Sequence, residues 1–430
     1  MPEGRTRFAV WRRRALGVLA VVAVTGLGAA AAGAGGSAAR GGTTSRAGAA
    51  PPAASWLFSS SEIVRIRANV RTKPWSKLAW QQTLKNADSA LSASPHPADP
   101  RRDYRDRGDP SCPDGAVGWY CGLYLPGLED GRHARNLAMA YTVTGNRAYA
   151  LKSKEFLLAW ARTYSPLPAT SMIGHYIAEV GGITLKSFQA YALVQDVFSP
   201  AERQVFTRWA AAFVDRGKRQ ADAARDEPWV PQAPWGNSAT WARSMAVLAA
   251  AVVGGRTLRQ TLDWNWAHTT TRGKDYGWKA LIEGVMYPGG KMVEEDVRQS
   301  VFYALFTLQP LMLIADVAQH VGYRHNLWTF RPVPTKGILA AIAYYAPYLQ
   351  GRVSGYPAYT EPTGRTPADI AAANRSVLEN AANDVPGSAL LRRIVAYGGP
   401  GVRGTNDDPY IVGYNAVTAG IGDALARASR

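Results

Sequence analysis

Residues 132–164, RHARNLAMAYTVTGNRAYALKSKEFLLAWARTY, decide the fold class of this chain. They read as two helical segments, Arg132–Thr144 and Arg147–Tyr164, that meet at Gly145-Asn146. Glycine and asparagine are typical of a helix end, because both tolerate the left-handed backbone that closes a helix. Since only two residues separate the segments, the sequence predicts an antiparallel helical hairpin whose apolar faces pack together.

Helical signals recur on both sides of this hairpin, and no alternating strand pattern dominates. Ser199-Pro200-Ala201-Glu202 reads as a capping box with proline at the first helical position, which predicts a helix to about Arg216. The other predicted helices are Ser60–Arg71, Trp75–Leu91, Ile183–Phe198, Ala239–Val253, Leu258–Gly284 (with room for a break), Val297–Val321, Lys336–Leu349, one capped by Thr366-Pro367-Ala368-Asp369, and Ser388–Val395. Helices joined by short turns predict an all-α fold, a toroid or incomplete barrel of antiparallel helical hairpins.

The first 50 residues have the pattern of an export signal. Arg12, Arg13 and Arg14 precede an apolar run from Ala15 to about Ala32, and small residues follow it. The run is short for a membrane span and leads into flexible sequence, which favours a cleaved leader, of the twin-arginine type as one option. We therefore expect a secreted or periplasmic protein, with a leader at 1–50, a single domain at 51–430 and no stable membrane insertion after cleavage.

The chain is strongly basic, with 49 Lys and Arg against 32 Asp and Glu and a formal net charge of +17. The leader, with seven arginines and one glutamate in residues 1–48, contributes +6 of this and leaves +11. A secreted basic protein can bind a polyanion, although a charge that only serves solubility is the alternative. Because the chain contains no known nucleic-acid module, we expect no nucleic acid as partner. We expect an acidic polysaccharide instead, and a monomer. The 14 tryptophans and 20 tyrosines suit a carbohydrate groove or a packed core.

Cys112 and Cys121 are the only two cysteines, nine residues apart. In an oxidising compartment they can close a small loop, so we predict a disulfide. The spacing gives no zinc pattern, because four ligands are needed and no histidine pair lies nearby. The sequence also lacks a phosphate-binding loop, a dinucleotide fingerprint, a His-Glu-x-x-His helix and a G-x-S-x-G elbow. We therefore expect no metal and no cofactor.

Five segments, in the same order along the chain, resemble the alginate lyase domain family and together span about residues 100 to 350. They are Asp130–Trp160 with its A-Y-x-x-T-G turn, Gly182–Asp196, Asn237–Trp241, Tyr303–Leu308, and Asn326–Trp328 with the following Lys336–Leu339. Asn237–Trp241 stands where the family has N-H-G-T-W, and Tyr303–Leu308 stands where it has Y-S-L-F-N-L. The resemblance implies an (α/α) toroid that acts, without a catalytic metal, as a polysaccharide lyase on alginate or a related polyuronate.

β-Elimination on a uronic acid requires removal of the C5 proton beside a carboxylate that preorganised donors neutralise. The resemblance implies that Asn237 and Arg298 neutralise the carboxylate and that Tyr303 moves the protons. From the residues alone, Asn237 can equally cap a helix, Tyr303 can pack in the core, and Arg298 can lie on the surface. Arg298 and Tyr303 are five positions apart, about 140° around a continuous helix, so they converge only if a helix begins after Arg298.

Ser238 occupies the position at which the family has its catalytic histidine. A serine needs a partner to act as a base, so this departure disfavours a histidine-assisted route and also allows a non-catalytic polyanion-binding protein on a lyase scaffold. A tyrosine flanked by cations can serve as a phenolate base and then protonate the leaving oxygen, which needs no histidine. His175, beside Tyr176 in a loop-like stretch, can also replace the missing base. Helix capping is the alternative role for Ser238.

The remaining candidates are predicted substrate-binding residues, each with a structural alternative. Glu294 and Glu295 stand where the family has a carboxylate that can orient the arginine, or they form a solvated face. The other predicted contacts are Ser238, Trp235, Trp241, Tyr176 and His268. A toroidal glycoside hydrolase with two carboxylates is a further alternative. Its candidate carboxylates are Glu179, Glu283, Glu294, Glu295 and Asp296.

Overall fold

The helices below come from a computed structural model of the chain. It describes residues 55–72, 74–99, 120–166, 176, 178–226, 235–269, 275–350, 352–357, 359, 366, 367, 370, 381, 385 and 388. In chain order the α-helices are α1 Ser60–Thr72, α2 Pro74–Ala90, α3 Leu125–Thr144, α4 Arg147–Thr163, α5 Leu185–Val194, α6 Pro200–Asp226, α7 Asn237–Val253, α8 Gly255–Ala267, α9 Trp278–Val285, α10 Val293–Arg298, α11 Val301–His320 and α12 Ile338–Leu349. No β-strand occurs in these ranges, which confirms the predicted all-α class.

The predicted hairpin of α3 and α4 is confirmed at its turn. Gly145 adopts a left-handed conformation (φ 74°), and its N–H donates to the carbonyl of Tyr141 at 2.8 Å. Asn146 begins the next helix, because its side chain accepts a hydrogen bond from the N–H of Ala148 at 3.1 Å. The two residues therefore end one helix and cap the next, as the sequence indicates.

Inner and outer helices alternate through the fold. Nearly every residue of α5, α7 and α11 is buried, whereas α4, α6 and α8 bury only one face. The inner helix α7 packs against the outer helix α6 on one side and against α11 on the other. At Gly217 in α6, an added Cβ would lie 2.8 Å from the Ala242 carbonyl oxygen and the Ala246 nitrogen of α7, so the close approach requires glycine. The layering is that of the predicted α/α toroid.

One predicted helix start is confirmed, and two predicted helix boundaries differ from the structure. The capping box is confirmed, since the Ser199 N–H donates to Glu202 at 2.8 Å and the Glu202 N–H to Ser199 Oγ at 3.3 Å. The helix continues past Gly217 to Asp226 because the glycine contacts α7 instead of ending the helix. The predicted segment Leu258–Gly284 forms two helices, α8 and α9.

Three further predictions have different outcomes. The predicted continuous helix Val297–Val321 is wrong, because α10 ends before α11 begins. The predicted helices at Thr366 and Ser388 lie almost entirely outside the described residues. Cys121 is half-buried and disulfide-bonded, whereas Cys112 lies outside the described residues, so its pairing stays a prediction.

Helix α11 is the most apolar long helix in the described part of the chain. It is long enough and apolar enough to cross a membrane, with a mean hydropathy of 1.7, but 83% of the apolar stretch is buried within the fold. Burial of this kind is that of a core helix. Tyr303 lies in its first turn, so the core holds one end of the candidate site.

Candidate active site

The start of α7 presents Asn237 to a buried carboxylate. Gly236 is the N-cap residue, and no side chain caps this helix end, so neither Asn237 nor Ser238 has the capping role considered above. The Asn237 backbone N–H donates to Glu294 Oε1 at 2.8 Å, and its side-chain Nδ2 donates to the same oxygen at 3.0 Å. Among the described residues, Glu294 is the group seen to bond the Asn237 side-chain amide.

Glu294 joins Asn237 to Arg298. Its second oxygen, Oε2, accepts a hydrogen bond from Arg298 Nε at 3.3 Å, and its side chain is only 3% exposed. Burial raises the pKa of Glu294 above its ordinary value, an effect that the Arg298 charge and the Asn237 donors partly offset. Glu294 therefore orients both donors, which agrees with the role predicted for it.

A helix break brings Arg298 to Tyr303. Helix α10 ends at Arg298, and Gln299 follows in a left-handed conformation (φ 49°, ψ 53°). Ser300 then caps α11, because its Oγ accepts from the Tyr303 N–H at 3.3 Å. The Arg298 guanidinium carbon lies 4.9 Å from the centre of the Tyr303 ring. The condition set by the sequence, a helix that begins after Arg298, is met.

Tyr303 is 2% exposed. Its ring lies beside the Arg298 guanidinium and the Phe302 ring. The phenol is therefore covered in this structure but has a cation as its neighbour. A sugar can reach it only after the groups that cover it move.

Tyr176 also contacts the start of α7. Its hydroxyl donates to the backbone carbonyl of Ser238 at 2.8 Å, and the residue is 3% exposed. Burial raises the pKa of Tyr176 well above its ordinary value. As a buried donor to the backbone, Tyr176 does not face a groove, which corrects its prediction as a substrate contact. Ser238 itself is half-buried.

Trp235 and Trp241 belong to the apolar core, with exposed fractions of 8% and 2%. The Trp235 ring lies edge-on to Tyr276 at 5.4 Å, and the Trp241 ring lies 5.2 Å from Phe306. Neither ring presents a free face for stacking on a sugar, so the predicted groove role of both tryptophans is wrong for this structure.

Glu295 points away from Arg298, although it follows Glu294 directly. Its side chain is fully buried and accepts hydrogen bonds from the hydroxyls of Tyr345, at 2.6 Å, and Tyr359, at 3.3 Å. It therefore stabilises the contact between α10 and α12 and does not orient the arginine. Of the two predicted glutamates, only Glu294 contacts Asn237 and Arg298 among the described residues, and its role in the site stays a prediction.

His268 does not join the Asn237–Tyr303 group. Its Nε2 lies 3.1 Å from Asp222 Oδ1, and its ring packs against Trp264. Burial lowers the pKa of His268 below its ordinary value. His175 lies outside the described residues. In the described ranges no group of three or more His, Cys, Asp or Glu could hold a metal ion.

Sequence reasoning missed a buried ion pair close to this site. Arg216 Nε lies 2.8 Å from Glu179 Oε2, and both side chains are fully buried. The sequence offers Glu179 as a hydrolase carboxylate, but a fully buried carboxylate paired with an arginine is not placed to protonate a glycosidic oxygen. A buried acidic residue and its arginine partner lie 37 positions apart in the chain, so no local pattern could have paired them.

Comparison with known proteins places the chain in a class. The family model described as Alginate lyase matches residues 128–354, more than half of the chain. An alginate lyase from Bacteroides ovatus is similar in structure, with a TM-score of 0.59, 17% identity, and coverage of 84% of this chain and 98% of that one. Alginate lyase A1-III from Sphingomonas species A1 gives a TM-score of 0.57 at 17% identity, with coverage of 86% and 96%.

A histidine-to-alanine variant of alginate lyase A1-III, complexed with tetrasaccharide, gives a TM-score of 0.54 at 17% identity, with coverage of 86% and 95%. No curated protein matches this chain. At this identity the structural likeness shows the fold alone, which is the α/α toroid of these lyases. The family match and the fold together define a polysaccharide lyase. The chain belongs to the alginate lyase family.

Proposed function

We propose that this protein is a secreted lyase that cleaves a uronic-acid-containing polysaccharide, alginate or a related polyuronate, by β-elimination. The observation that carries the proposal is the continuous chain of contacts from Asn237 through Glu294 to Arg298 and Tyr303. It supplies an amide, a cation and a phenol, the three groups that the reaction requires. The solved A1-III variant complexed with tetrasaccharide supports a saccharide ligand for this fold.

Asn237 and Arg298 neutralise the substrate carboxylate. Removal of the C5 proton places negative charge on that carboxylate, and donors fixed in advance stabilise this charge more than mobile water does. Glu294 fixes both donors, since it holds Asn237 by two hydrogen bonds and Arg298 by one. The carboxylate of the protein thus positions the groups that bind the carboxylate of the sugar.

Tyr303 moves the protons. As a phenolate it takes the C5 proton, the C4–C5 double bond forms, the C4–O bond breaks, and the phenol returns the proton to the leaving oxygen. The Arg298 charge beside the ring favours the phenolate form of this cycle electrostatically. Because one group serves as base and then as acid on the same face, the route is compatible with Ser238 in place of a histidine.

Secretion and a polyanionic substrate fit together. The expected leader at residues 1–50 would export a mature chain whose charge of about +11 attracts acidic polymers. Electrostatic attraction raises the rate of encounter, and added salt screens it. The proposal therefore predicts that kcat/KM falls as ionic strength rises.

Product analysis tests the proposal. The purified protein is incubated with a panel of polyuronates that differ in sugar and linkage, and the ultraviolet absorbance of the unsaturated uronic acid product is followed. We expect absorbance with at least one polymer, in step with new reducing ends. New reducing ends without absorbance would instead identify a glycoside hydrolase, because hydrolysis creates no double bond. Binding without cleavage would identify a polyanion-binding protein.

A further inference from the structure

We propose that Tyr176 is a positioning residue: backed by the buried Glu179–Arg216 ion pair, its hydroxyl fixes the start of α7 and thereby the Asn237 amide. The inference rests on the proposed function in one respect, that Asn237 binds the substrate carboxylate. It assigns a role to a phenol that does not touch substrate and to an ion pair remote from the reacting atoms.

Two successive residues at the start of α7 are held by side chains from other parts of the fold. The Asn237 N–H donates to Glu294, and the Ser238 carbonyl accepts from the Tyr176 hydroxyl. Gly236, the N-cap, supplies no side chain to hold this helix end. These two hydrogen bonds hold the backbone at Asn237 and Ser238, and a third, from Asn237 Nδ2 to Glu294 Oε1 at 3.0 Å, sets the orientation of the Asn237 side chain on that backbone.

A buried hydrogen-bond network surrounds Glu179, close to Tyr176 in the chain. Glu179 lies three residues further along, in the π-helix Ala178–Thr184, and its carboxylate accepts from Arg216 Nε at 2.8 Å and from the Tyr164 hydroxyl at 2.9 Å. Arg216 also donates from Nη1 to Gln220 Oε1 at 2.7 Å. The network joins the end of α4, the π-helix and α6, so the π-helix, which begins two residues after Tyr176, is anchored to two outer helices.

The buried Glu179–Arg216 ion pair is better suited to fixing geometry than to stabilising the fold. Glu179 and Arg216 are both fully buried, and a buried pair contributes little net stability because each charge loses its hydration. An apolar pair of similar volume would often serve stability as well. A role in fixing geometry therefore explains the position of this ion pair near α7 better than a role in stability alone.

Tyr176 is not placed to act on the substrate directly. Its hydroxyl proton is donated to the Ser238 carbonyl, and the residue is 3% exposed. Burial keeps its pKa well above the ordinary value despite the nearby charge of Arg216, so the phenol stays protonated and remains a donor. It therefore holds the backbone permanently and takes no part in proton transfer.

Tyr176→Phe removes the hydroxyl alone, and Tyr149→Phe is the matched control. The Tyr149 hydroxyl donates to Asp88 between α4 and α2, at a place that does not touch α7. Two quantities are measured: kcat and KM on a polyuronate that the wild type cleaves, and hydrogen exchange of the amides of residues 237–241 without substrate. For Tyr176→Phe we expect kcat to fall roughly tenfold with KM nearly unchanged, and these amides to exchange faster.

The control is expected to lower the melting temperature without changing kcat or this exchange. Wild-type kcat and wild-type exchange in Tyr176→Phe would overturn the proposal, and so would a rise in KM with unchanged exchange, which would mean contact with substrate. If Tyr176→Phe does not fold, Tyr164→Phe removes one donor to Glu179 and should give the same pattern at smaller amplitude; unchanged exchange there overturns the proposal. If the wild type forms no unsaturated product, the proposed function fails, while the exchange measurement still decides the positioning claim.

Discussion

The guanidinium carbon of Arg298 lies 4.9 Å from the centre of the Tyr303 ring, although five positions of the chain separate the two residues. On one continuous helix they would point about 140° apart. The break at Gln299 and Ser300 reverses this, because Arg298 ends one helix while Tyr303 lies in the first turn of the next. The two helix ends thus bring together the cation and the phenol that we propose to act in catalysis.

The planar fork of Arg298 matters, because it contacts Glu294 through Nε and faces the Tyr303 ring at the same time. Lysine has one charged nitrogen and cannot do both. We expect Arg298→Lys to lower kcat/KM roughly a hundredfold. The matched control is Arg324→Lys, since Arg324 is a largely exposed arginine paired with Asp263. Equal activity of the two variants would show that Arg298 is only a surface charge.

Adjacent glutamates give a paired test of the site. We expect Glu294→Gln to lower kcat about a hundredfold, because the neutral amide no longer orients Arg298 and offers a hydrogen to the Asn237 donors. Glu295→Gln is expected to keep kcat near the wild-type value and to lower the melting temperature, since Glu295 holds Tyr345. Steady-state kinetics and thermal unfolding measure both. The assignment is wrong if the two variants lose activity to the same degree.

The left-handed residue at the helix break is a third test. Glycine adopts a φ of 49° freely, so Gln299→Gly is expected to keep both fold and activity. A β-branched residue is strained there by roughly 1–2 kcal/mol, so Gln299→Val should lower both the free energy of unfolding and kcat. Denaturant unfolding and kinetics are the measurements. Unchanged kcat in a destabilised Gln299→Val would separate the break from catalysis.

His320 joins α1 to the end of α11. Its Nε2 lies 2.8 Å from Glu62 Oε2 and its Nδ1 lies 3.1 Å from Asp316 Oδ1. Burial opposes the charge on the ring, but the two carboxylates outweigh it and raise the pKa of His320 to about 11. A raised folded-state pKa gives stability that is complete below the unfolded value of about 6.5 and is lost as the pH rises towards the folded value.

We therefore expect His320→Gln to lower the melting temperature most at or below pH ~6.5, with the gap to the wild type closing as the pH rises. His268→Gln is the control, because burial lowers the pKa of His268 below its ordinary value, so that raising the pH above ~6.5 removes little charge from this ring. Its gap should stay constant above pH ~6.5. If the difference in melting temperature between His320→Gln and the wild type does not narrow as the pH rises, a charged His320 does not stabilise the contact with Glu62 and Asp316. Thermal unfolding across a pH series measures both.

Local signals in the sequence were sufficient for the architecture. Gly145-Asn146 and the capping box of Ser199 and Glu202 act within a few residues of the chain, so the sequence contains the whole cause of these helix ends. Gly217 shows where local reasoning fails. It predicts a helix end by propensity, but its contact with α7 keeps the helix intact.

The candidate site could be predicted in part. Asn237, Arg298 and Tyr303 were found through the resemblance and the 140° argument, yet nothing in the sequence marks Gln299 as left-handed. The choice between Glu294 and Glu295 also required coordinates. Glu294 and Glu295 lie four and three positions before Arg298, so helix geometry allows either to contact it. Contacts with α7 and α12 favour Glu294, because Asn237 binds Glu294 and Tyr345 binds Glu295. The core positions of the two tryptophans are likewise set by tertiary packing.

The most direct test of the central claim is the rate of unsaturated product formation by Tyr303→Phe, compared with Tyr345→Phe. Both tyrosines are buried, and both lie next to α10, but only Tyr303 faces Arg298, while the Tyr345 hydroxyl donates to Glu295. We predict that Tyr303→Phe loses roughly a thousandfold in kcat while still binding the polymer, and that Tyr345→Phe keeps its rate. A Tyr303→Phe variant that forms the unsaturated product at the wild-type rate would contradict the account.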